Sequence, residues 1–457
     1  MRINAGIWAN DLKVTTGSNQ VSADHSQVVP FASLGAKPEY AIDVAHLGGM
    51  YAGKIRLVGT EHGVGVRNAG TLAAESGDLV VTLDGRLENT GLLQGKQNIQ
   101  LTTTGGVRNS GTLSAQRELL LSTTADLDNS AGRINAARLD IGAQSLKNRD
   151  GDLEQTGTQV LAIVAESLTN REAGRIGVAE TPSSGTGSES GSGSMPTVPE
   201  TGATPPSSGE NNGSAPEPEH IERLADGQLL IGELLDNDAG RILAGGKVTL
   251  ATENLNNDQG RLGVHQLSVN GGEFSNRAGE LTVTTDADIT TTRLRNDQGK
   301  FSVGGALDLR AGELSNRGGE LVHSDSSATE MSVTGRLDNS AGLLATNAAS
   351  LTLDAGVLVN EDGRLEHAGE QGLTLRLGDL HGAGGRITTG GALDLDAGDI
   401  DHRGATLTAT QVNLRADNLD NRAGSLISSG TENNRLDVAG RWTTARAAPS
   451  PVTATSV

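Results

Sequence analysis

The sequence predicts an all-β fold, a parallel β-helix in which the chain winds as a solenoid of about 20 residues per coil. Three observations lead to this class. A short asparagine–glycine phrase recurs about every 20 residues, which is the range of solenoid repeats. The segments between these phrases alternate apolar and polar residues, as half-buried strands do. Aromatic residues make up only 2 % of the 457 residues, although a single large globular core relies on aromatic rings for buried area.

The recurring phrase consists of an apolar residue, any residue, Asn, one to three small or polar residues, and Gly. It first reads Val66-Arg67-Asn68-Ala69-Gly70. Asn adopts the left-handed turn conformation at low cost, and its amide is both donor and acceptor, so amides stacked at the strand spacing can bond above and below. His381 and His402 take the same slot and also carry a donor and an acceptor. We therefore predict a structural turn ladder, with no catalytic role, formed by Asn68, Asn89, Asn109, Asn129, Asn148, Asn170, Asn237, Asn257, Asn276, Asn296, Asn316, Asn339, Asn360, His381, His402 and Asn421.

The segments between the phrases predict two or three short strands per coil. Leu79–Leu83, Ile99–Thr103 and Leu281–Thr285 alternate with period two and are rich in β-branched residues. A leucine-rich repeat is the alternative at this period, but it needs a longer apolar consensus and a helical return segment. At ~4.8 Å per coil, about sixteen units predict a rod of roughly 75–80 Å. Its interior should hold rows of Leu, Val, Ile and Ala, into which bulky rings fit poorly.

Composition divides the chain into five segments. Residues 1–63 hold four of the seven aromatic residues and no clear repeat phrase, which indicates the end of a different domain or a cap. Residues 64–179 and 221–440 are two repeat arms, and residues 441–457 are a disordered tail. Residues 180–220 are rich in Ser, Gly, Pro and Glu and are expected to be disordered. Two arrangements stay open for this segment: a loop excluded from one continuous solenoid, which we favour slightly, or a linker between two rods.

Charge and composition exclude several classes of function. The chain has 36 Lys+Arg against 56 Asp+Glu, a net charge of −20, which argues against binding to nucleic acid or to an anionic membrane surface. There is no cysteine, hence no disulfide and no thiolate metal site. No apolar run reaches the length of a transmembrane helix, and residues 1–6 lack the features of a signal peptide.

No motif indicates a catalytic centre, a cofactor or a metal site, so we expect the chain not to be an enzyme. The sequence has no P-loop, no HExxH and no G-x-S-x-G, and its nine His residues are scattered. Asp394, Asp396 and Asp399 lie close together and could bind a cation or perform acid/base chemistry. Because Asp308 occupies the matching place in its own repeat, we favour a solvated outer face for them.

A second recurrent slot holds Gly-Arg pairs, and acids take the same slot in other repeats. These mixed signs predict interleaved charge pairs that avoid stacking like charges, with recognition of an acidic glycan as the alternative. The arginines are Arg133, Arg175, Arg241, Arg261, Arg364 and Arg386, and the acids are Asp152, Glu280 and Glu320.

Two segments and the repeats carry a resemblance to a known family. Ala41–Gly70, with its run Leu47-Gly-Gly-Met-Tyr-Ala-Gly-Lys-Ile-Arg-Leu, resembles the end of the haemagglutination-activity domain of two-partner secretion. Ile7–Gly17 resembles the segment just before it, and the Asn-x-Gly phrases resemble haemagglutinin repeats. The family is that of filamentous-haemagglutinin-like exoproteins, which includes contact-dependent growth-inhibition proteins. The chain lacks the usual start of the secretion domain and a terminal toxin domain, so we expect an internal piece or a truncated reading frame.

This resemblance implies a right-handed β-helix that is exported through an outer-membrane two-partner-secretion transporter and is secreted or held at the bacterial surface. Its expected second partner is a receptor or glycan on a host or neighbouring cell. The first hypothesis for function is a structural shaft for adhesion. The alternatives are the stalk of a contact-dependent growth-inhibition toxin and a polysaccharide-active β-helix enzyme.

Overall fold

The chain folds as a solenoid built from parallel strands, described here by a computed structural model. It has about 17 turns of about 21 residues, so the all-β parallel class predicted from the sequence is confirmed. The structure describes residues 1–23, 25, 27–32, 35–157, 161–178, 227–244 and 247–444. The whole segment predicted to be disordered, 180–220, and residues 445–457 of the predicted tail therefore lie outside the described residues.

Strands account for most of each coil, and the described residues contain no helix. The N-terminal strands are β1 (Arg2–Ile3), β2 (Gly6–Thr16), β3 (Asn19–Val21), β4 (Val28–Pro30), β5 (Tyr40–Val44) and β6 (Gly49–Gly59). The strands of the first arm are β7 (Gly65–Asn68), β8 (Thr71–Ala74), β9 (Leu79–Leu83), β10 (Leu87–Asn89), β11 (Leu92–Gly95), β12 (Asn98–Thr103), β13 (Val107–Asn109), β14 (Thr112–Ala115), β15 (Glu118–Thr123), β16 (Leu127–Asp128), β17 (Arg133–Ala136), β18 (Arg138–Gly142), β19 (Ser145–Lys147), β20 (Asp152–Gln155), β21 (Ala162–Thr169) and β22 (Arg175–Val178). The strands of the second arm are β23 (Gln228–Asp236), β24 (Arg241–Leu243), β25 (Thr249–Asn256), β26 (Arg261–Val264), β27 (Gln266–Ser275), β28 (Glu280–Val283), β29 (Ala287–Arg295), β30 (Lys300–Val303), β31 (Leu307–Ser315), β32 (Glu320–His323), β33 (Thr329–Asp338), β34 (Leu343–Thr346), β35 (Ser350–Val359), β36 (Arg364–His367), β37 (Gly372–His381), β38 (Arg386–Thr389), β39 (Leu393–Asp401), β40 (Thr406–Ala409), β41 (Val412–Asn421), β42 (Ser425–Ser428), β43 (Arg435–Val438) and β44 (Trp442–Thr444).

Each strand pairs in parallel with the equivalent strand one coil away. In the first arm a coil has three strands, and β10, β11 and β12 pair with β13, β14 and β15 in that order. From β21 onwards two of the three strands merge, because β21 pairs with both β18 and β19. Coils of the second arm therefore alternate one long strand with one short strand. This register places the same repeat position of every coil in one row along the axis.

The N-terminal segment stacks on the solenoid. Strands β1 and β2 pair in parallel with β5 and β6, while β3 and β4 form an antiparallel hairpin. Trp8 stacks on Tyr51 one coil away, with ring centroids 5.6 Å apart, and Trp8 remains 74 % exposed. Trp8 and Tyr51, two of the aromatic residues that distinguish this segment in composition, thus lie at its surface.

The two arms stack directly on each other. Strand β21 pairs with β23, and β22 pairs with β24, although residues 179–226 lie between them in sequence. The described coils on both sides of this gap therefore belong to one solenoid.

Rows of aliphatic side chains fill the interior. Leu321, Leu344, Leu365, Ile387 and Leu407 are in register on successive coils and are all buried. Each such side chain contributes roughly 1.5–3 kcal/mol by leaving water. These rows explain why the inward positions alternate so regularly in the sequence.

Two aromatic rings fit inside the solenoid, although the sequence predicts that bulky rings fit poorly there. Phe274 and Phe301, each 1 % exposed, meet edge to face with ring centroids 5.6 Å apart. Their neighbours in register are leucines, Leu255 and Leu294 for Phe274, and Leu281 and Leu321 for Phe301. The expectation that rings fit poorly inside the tube is wrong at these two positions.

Truncating one of these rings should destabilise the second arm. We expect Phe301→Ala to lower the free energy of unfolding by about 3–5 kcal/mol, because it removes a large buried side chain and leaves a cavity. Chemical denaturation followed by circular dichroism measures the change. The exposed Thr290→Ala serves as the control and should stay within about 0.5 kcal/mol of the wild type; equal effects of both substitutions would contradict the packing described here.

Candidate functional site

Among the described residues, the longest row of bonded polar side chains consists of buried asparagines and runs along one corner of the solenoid. From Asn68 to Asn339, the Nδ2 of each asparagine of the series donates to the Oδ1 of the next at 2.7–2.8 Å. The thirteen asparagines up to Asn360 are at most 1 % exposed. The bond from Asn170 to Asn237 crosses the gap between the arms at 2.7 Å. We call this row, with its continuation to Asn421, the asparagine ladder.

Most amides of the ladder also bind the backbone of two coils. Asn296 Nδ2 donates to the carbonyl of Gly299 in its own turn at 3.3 Å and to the carbonyl of Glu320 in the next coil at 2.9 Å. Buried amides cost free energy unless their hydrogen bonds are made. The ladder therefore joins successive turns to one another in addition to meeting the needs of its own side chains.

The turn after each asparagine differs from the one predicted. From Asn129 onwards, the left-handed conformation falls two residues after the asparagine, for example at Ala239 (φ 53°) and Gln298 (φ 57°), and not at the asparagine. The N–H group of the left-handed residue bonds the neighbouring coil, as from Gln298 to the carbonyl of Arg317 at 2.9 Å. The asparagines of the ladder themselves lie outside the left-handed region, and from Asn129 to Asn360 each directly follows the end of a strand or lies within one residue of it.

The glycine of the phrase is required by the close approach of the neighbouring coil. A Cβ at Gly240 would lie 1.8 Å from the carbonyl oxygen of Asn170, and one at Gly299 would lie 2.0 Å from that of Asn276. Real Cβ atoms do not come so near to backbone, so a larger residue would push the coils apart. Coil packing thus requires a glycine at this point of the turn.

The structure places His381 outside the ladder, so that part of the prediction is wrong. His381 is in register with Val359, and Gly382 takes the position in register with Asn360. His381 is exposed, because it occupies the outward position that precedes the corner. The sequence Leu380-His-Gly-Ala-Gly-Gly contains several glycines, and the phrase can be aligned with it in two ways that differ by one residue.

The ladder resumes at His402. His402 Nδ1 lies 2.7 Å from Asn421 Oδ1, and since an amide oxygen only accepts, Nδ1 carries the hydrogen. The Nε2 of His402 is buried and has no hydrogen-bond partner among the described residues. Gly382 therefore leaves a gap of one side chain between Asn360 and His402.

A second buried polar row, at another corner, was not foreseen. His323, Thr346, His367 and Thr389 are in register on successive coils and at most 4 % exposed. The Nδ1 of His323 lies 2.9 Å from the Thr346 hydroxyl, and the Nδ1 of His367 lies 2.8 Å from that of Thr389. Each Nε2 contacts a carbonyl oxygen, of Gly305 at 2.9 Å and of Ala348 at 2.8 Å. Both histidines close a Leu-x-His strand end, and this shared position is the sequence signal that could have revealed them.

The partners of this histidine–threonine row define its protonation. A carbonyl only accepts, so Nε2 of each histidine donates and Nδ1 accepts from the threonine hydroxyl. Burial lowers the pKa of both imidazoles and outweighs the opposite effect of the carbonyls. Burial likewise lowers the pKa of His402. All three are therefore neutral imidazoles held inside the shaft.

The Gly-Arg slot forms a surface row, but its charges do not alternate throughout. Arg175 binds Asp152 at 2.7 Å, and Arg261 lies 3.4 Å from Glu280. Arg241, however, is in register between Arg175 and Arg261. Burial and these two cations lower the pKa of Arg241. The expectation that the row avoids stacking like charges is wrong at this point.

The rest of the row mixes ion pairs with like-charged neighbours. Arg364 and Arg386 also adjoin each other in register. Arg133 bonds Glu154, two residues beyond the acid Asp152 with which it is in register. Glu320, in turn, lies 3.7 Å from Lys300 on the preceding coil.

The three aspartates considered for catalysis lie on the outer face. Asp394, Asp396 and Asp399 are exposed in strand β39. Asp394 accepts from Asn413 at 2.8 Å, and Asp399 accepts from Asn418 at 2.7 Å. Asp396 lines a shallow trough of about 380 Å³ in which Arg376 and Arg415 flank it in register. The geometry is that of an outer row of mixed charge, as in the rest of the shaft.

Neither a metal centre nor a membrane span emerges from the described coils. Over those residues, no three His, Asp or Glu side chains are grouped so that they could hold a metal ion. In the same part of the chain, no helix has the length and apolar character needed to cross a membrane.

Removing one amide from the middle of the ladder should weaken the fold. We expect Asn296→Ala to cost about 2–4 kcal/mol, because it leaves the amide donor of Asn276 and the acceptor of Asn316 without side-chain partners in the interior. Urea denaturation followed by circular dichroism measures the loss. Asn270, exposed and on the same arm, provides the matched substitution Asn270→Ala, which should change the free energy of unfolding little; a comparable loss from both would refute the role of the ladder.

Filling the gap in the ladder should stabilise the fold. A Cβ at Gly382 would lie 3.3 Å from its nearest neighbour, the carbonyl oxygen of Asp401, so a side chain requires only a small shift of that backbone. We expect Gly382→Asn to raise the free energy of unfolding by about 1 kcal/mol, since the new amide can accept from Asn360 and donate to His402. Gly382→Ala separates this effect from the loss of glycine flexibility. If the alanine variant gains as much as the asparagine variant, the amide bonds contribute nothing.

Comparison with known proteins places the repeat phrase in a family. The haemagglutinin repeat model matches residues 14–176, 211–277, 263–341 and 327–441, which together cover most of the chain. No solved structure matches the chain.

Curated relatives match a shorter part. A protein named Toxin CdiA from Yersinia pestis is 54 % identical over 104 residues, which is 22 % of this chain and 3 % of the relative. The tRNA nuclease CdiA-2 of Burkholderia pseudomallei is 48 % identical over 91 residues, and the 16S rRNA endonuclease CdiA of Enterobacter cloacae is 47 % identical over 90, each match covering about a fifth of this chain and 3 % of the relative. The aligned part thus spans only a few per cent of the length of these relatives. With its coil register, its asparagine ladder and the repeat match over most of its length, this chain belongs to the haemagglutinin-repeat family of filamentous haemagglutinin and contact-dependent growth-inhibition exoproteins.

Proposed function

We propose that this β-helical shaft serves a bacterial exoprotein as a rigid spacer that holds adhesive parts away from the cell surface. The observation that carries the proposal is the continuous register of the coils, in which the buried polar side chains of the asparagine ladder bond to one another and to backbone. A rod of about 17 turns at the strand spacing reaches about 80 Å. A structure of this kind contributes length and stiffness.

Export and location follow from the same proposal. We take the whole protein to pass through an outer-membrane two-partner-secretion transporter and to be secreted or held at the bacterial surface. The haemagglutinin repeat match and the resemblance of residues 7–17 and 41–70 to the secretion domain support this. In this scheme residues 1–63 end the secretion domain, and 64–179 and 221–440 are the two arms of the shaft.

A second candidate function is the stalk of a contact-dependent toxin. The names of the matched relatives, among them Toxin CdiA, favour it. The alignments span a few per cent of those proteins, so the toxin activity named there belongs to them. For this chain, the stalk hypothesis adds a toxic cargo to the same mechanical role.

We also propose that the shaft itself is not an enzyme. Asp394 and Asp399, two of the three aspartates considered for catalysis, accept hydrogen bonds from asparagines of the next coil, and Asp396 is flanked in register by Arg376 and Arg415. The polysaccharide-active alternative needs carboxylates poised around a bound glycan, and it is the least supported of the three functions.

Deleting whole coils from the full-length exoprotein tests the spacer role. Removal of residues 277–316 excises two coils and rejoins Asn276 to Arg317, so the ladder register is kept while the rod shortens by about 10 Å. We expect surface display, measured with an antibody, to persist. Removal of 277–306 excises about one and a half coils, which breaks the register, and should abolish display. Equal loss in both variants would assign residues 277–316 a specific role and overturn the spacer proposal.

Cell binding and co-culture separate the two candidate functions. Adhesion predicts that the purified, folded chain binds host or neighbouring cells, and no binding would leave a spacer alone. The stalk hypothesis predicts that bacteria with the intact gene inhibit neighbours that lack a matching immunity gene, and failure to inhibit would remove it.

A further inference from the structure

We infer that the second arm contains an acid-sensitive segment, the coils from β30 to β41, which opens at mildly acidic pH while the first arm stays closed. Three observations carry this inference: His323, His367 and His402 are all buried, all lie in this segment, and none has an acceptor for a second ring proton, because both ring nitrogens of His323 and His367 are already bonded and the free ring nitrogen of His402 has no partner among the described residues. In the described coils of the first arm, residues 64–157 and 161–178 contain no histidine.

The hydrogen bonds of the histidine–threonine row cannot absorb a proton without loss. Thr346 Oγ1 donates to His323 Nδ1 and accepts from the Ala348 N–H at 3.1 Å, and Thr389 Oγ1 accepts in the same way from the Gly391 N–H at 3.2 Å. A proton on Nδ1 would face the hydroxyl hydrogen. The hydroxyl would have to turn, accept two N–H groups and leave its own hydrogen without its present acceptor, in a site closed to water.

His402 has the opposite tautomer and the same difficulty. Its Nδ1 already donates to Asn421, so a second proton would go to the buried Nε2, beside the gap left by Gly382. The charge would enter the corner of the solenoid without an acceptor on any described residue. Burial of an unpaired cation is costly, and the folded coils resist it.

The charged groups around these imidazoles do not reverse the lowering of the imidazole pKa values by burial. On the strands beside His323 and His367, the charged residues occupy outward positions: Lys300, Glu320, Arg364, Glu366 and Arg386. Asp325 acts on His323 and Asp401 on His402, and both favour the protonated ring, but burial outweighs them. Asp401 is itself bound by Arg403 at 2.6 Å, and Asp420 on the next coil by Arg422 at 2.7 Å.

The direction of the pH effect follows from these lowered pKa values. Above pH 6.5 the imidazoles are neutral in both the closed and the open segment, so they add no pH dependence. Below pH 6.5 the imidazoles of the open segment bind protons that those of the closed segment do not bind. The stability of the closed segment therefore falls as pH falls. Each histidine lowers the closing equilibrium roughly tenfold per pH unit until the pKa of the closed form is reached. Beside His402, the hydrogen bond from Arg403 holds the pKa of the Asp401 carboxyl below its usual range, so this group does not titrate together with the imidazoles.

A solenoid converts this local effect into local opening. Each coil contacts only its neighbours, so coils can open in one stretch while others stay stacked. Opening from β30 to β41 would interrupt the rod and expose strand edges and rows of leucine. The shaft would then be stiff at neutral pH and jointed in a mildly acidic environment.

Hydrogen exchange with mass spectrometry on the full chain at pH 7.5 and pH 5.5 tests the inference. After correction for intrinsic exchange rates, we expect peptides from 300–421 to lose protection at least tenfold more than peptides from 64–178. The variant His323→Gln/His367→Gln/His402→Asn replaces each imidazole by a neutral amide. Gln155, which is 1 % exposed, shows that a glutamine is accommodated inside the solenoid, and asparagine is the usual residue of the ladder. This variant should lose the differential, whereas the exposed His381→Gln should keep it.

Two results would overturn the inference: equal protection of both arms at pH 5.5, or a differential that persists in the triple variant. Should the triple variant fail to fold, the single variant His402→Asn provides a second measurement. It should reduce the loss of protection around 381–424 at pH 5.5 by about tenfold, and no reduction would count against the proposal.

Discussion

The stacked amides of the asparagine ladder are the constraint on which the rest of the structure depends. Each buried asparagine must meet the one above and the one below at hydrogen-bond distance, and this condition is satisfied only when every coil enters the corner in the same register. Register in turn sets which residues point inward. The aliphatic rows, the outer charge rows and the position of every turn follow from this one alignment, because a shift by one residue would turn every side chain to the other face.

The same constraint explains why glycine follows each asparagine at a nearly fixed distance. The turn brings the chain so close to the coil beneath that no Cβ fits at positions such as Gly240. The left-handed residue between them is free to be Ala, Gln, Asp or Gly, since its role lies in its backbone N–H. The asparagine position thus requires a particular side chain, the glycine position requires the absence of a side chain, and the left-handed position requires only its backbone N–H group.

Much of this architecture could be predicted from the sequence, and the failures have specific physical causes. The asparagines from Asn68 to Asn360 form a continuous buried row because identical polar groups at a fixed period have few other ways to satisfy their hydrogen bonds in a stack. His381 was misplaced by one residue because a glycine-rich turn offers two alignments and only the strand register of β37 decides between them. His323 and His367 were taken as scattered because their partners, Thr346 and Thr389, become neighbours only after two coils are stacked. The like-charged neighbours Arg175 and Arg241 are separated in sequence by the segment 179–226, so their contact could be seen only once the arms were joined.

The junction between Val178 and Gly227 has a consequence for how such proteins can be modified. Strands β21 and β22 pair with β23 and β24 as closely as any consecutive coils do, although dozens of residues separate them in sequence. The stacking of coils therefore tolerates a connection of dozens of residues between two successive coils at this corner. A reporter or an epitope could be grafted at this site, and the rod would present it on its flank without losing a rung.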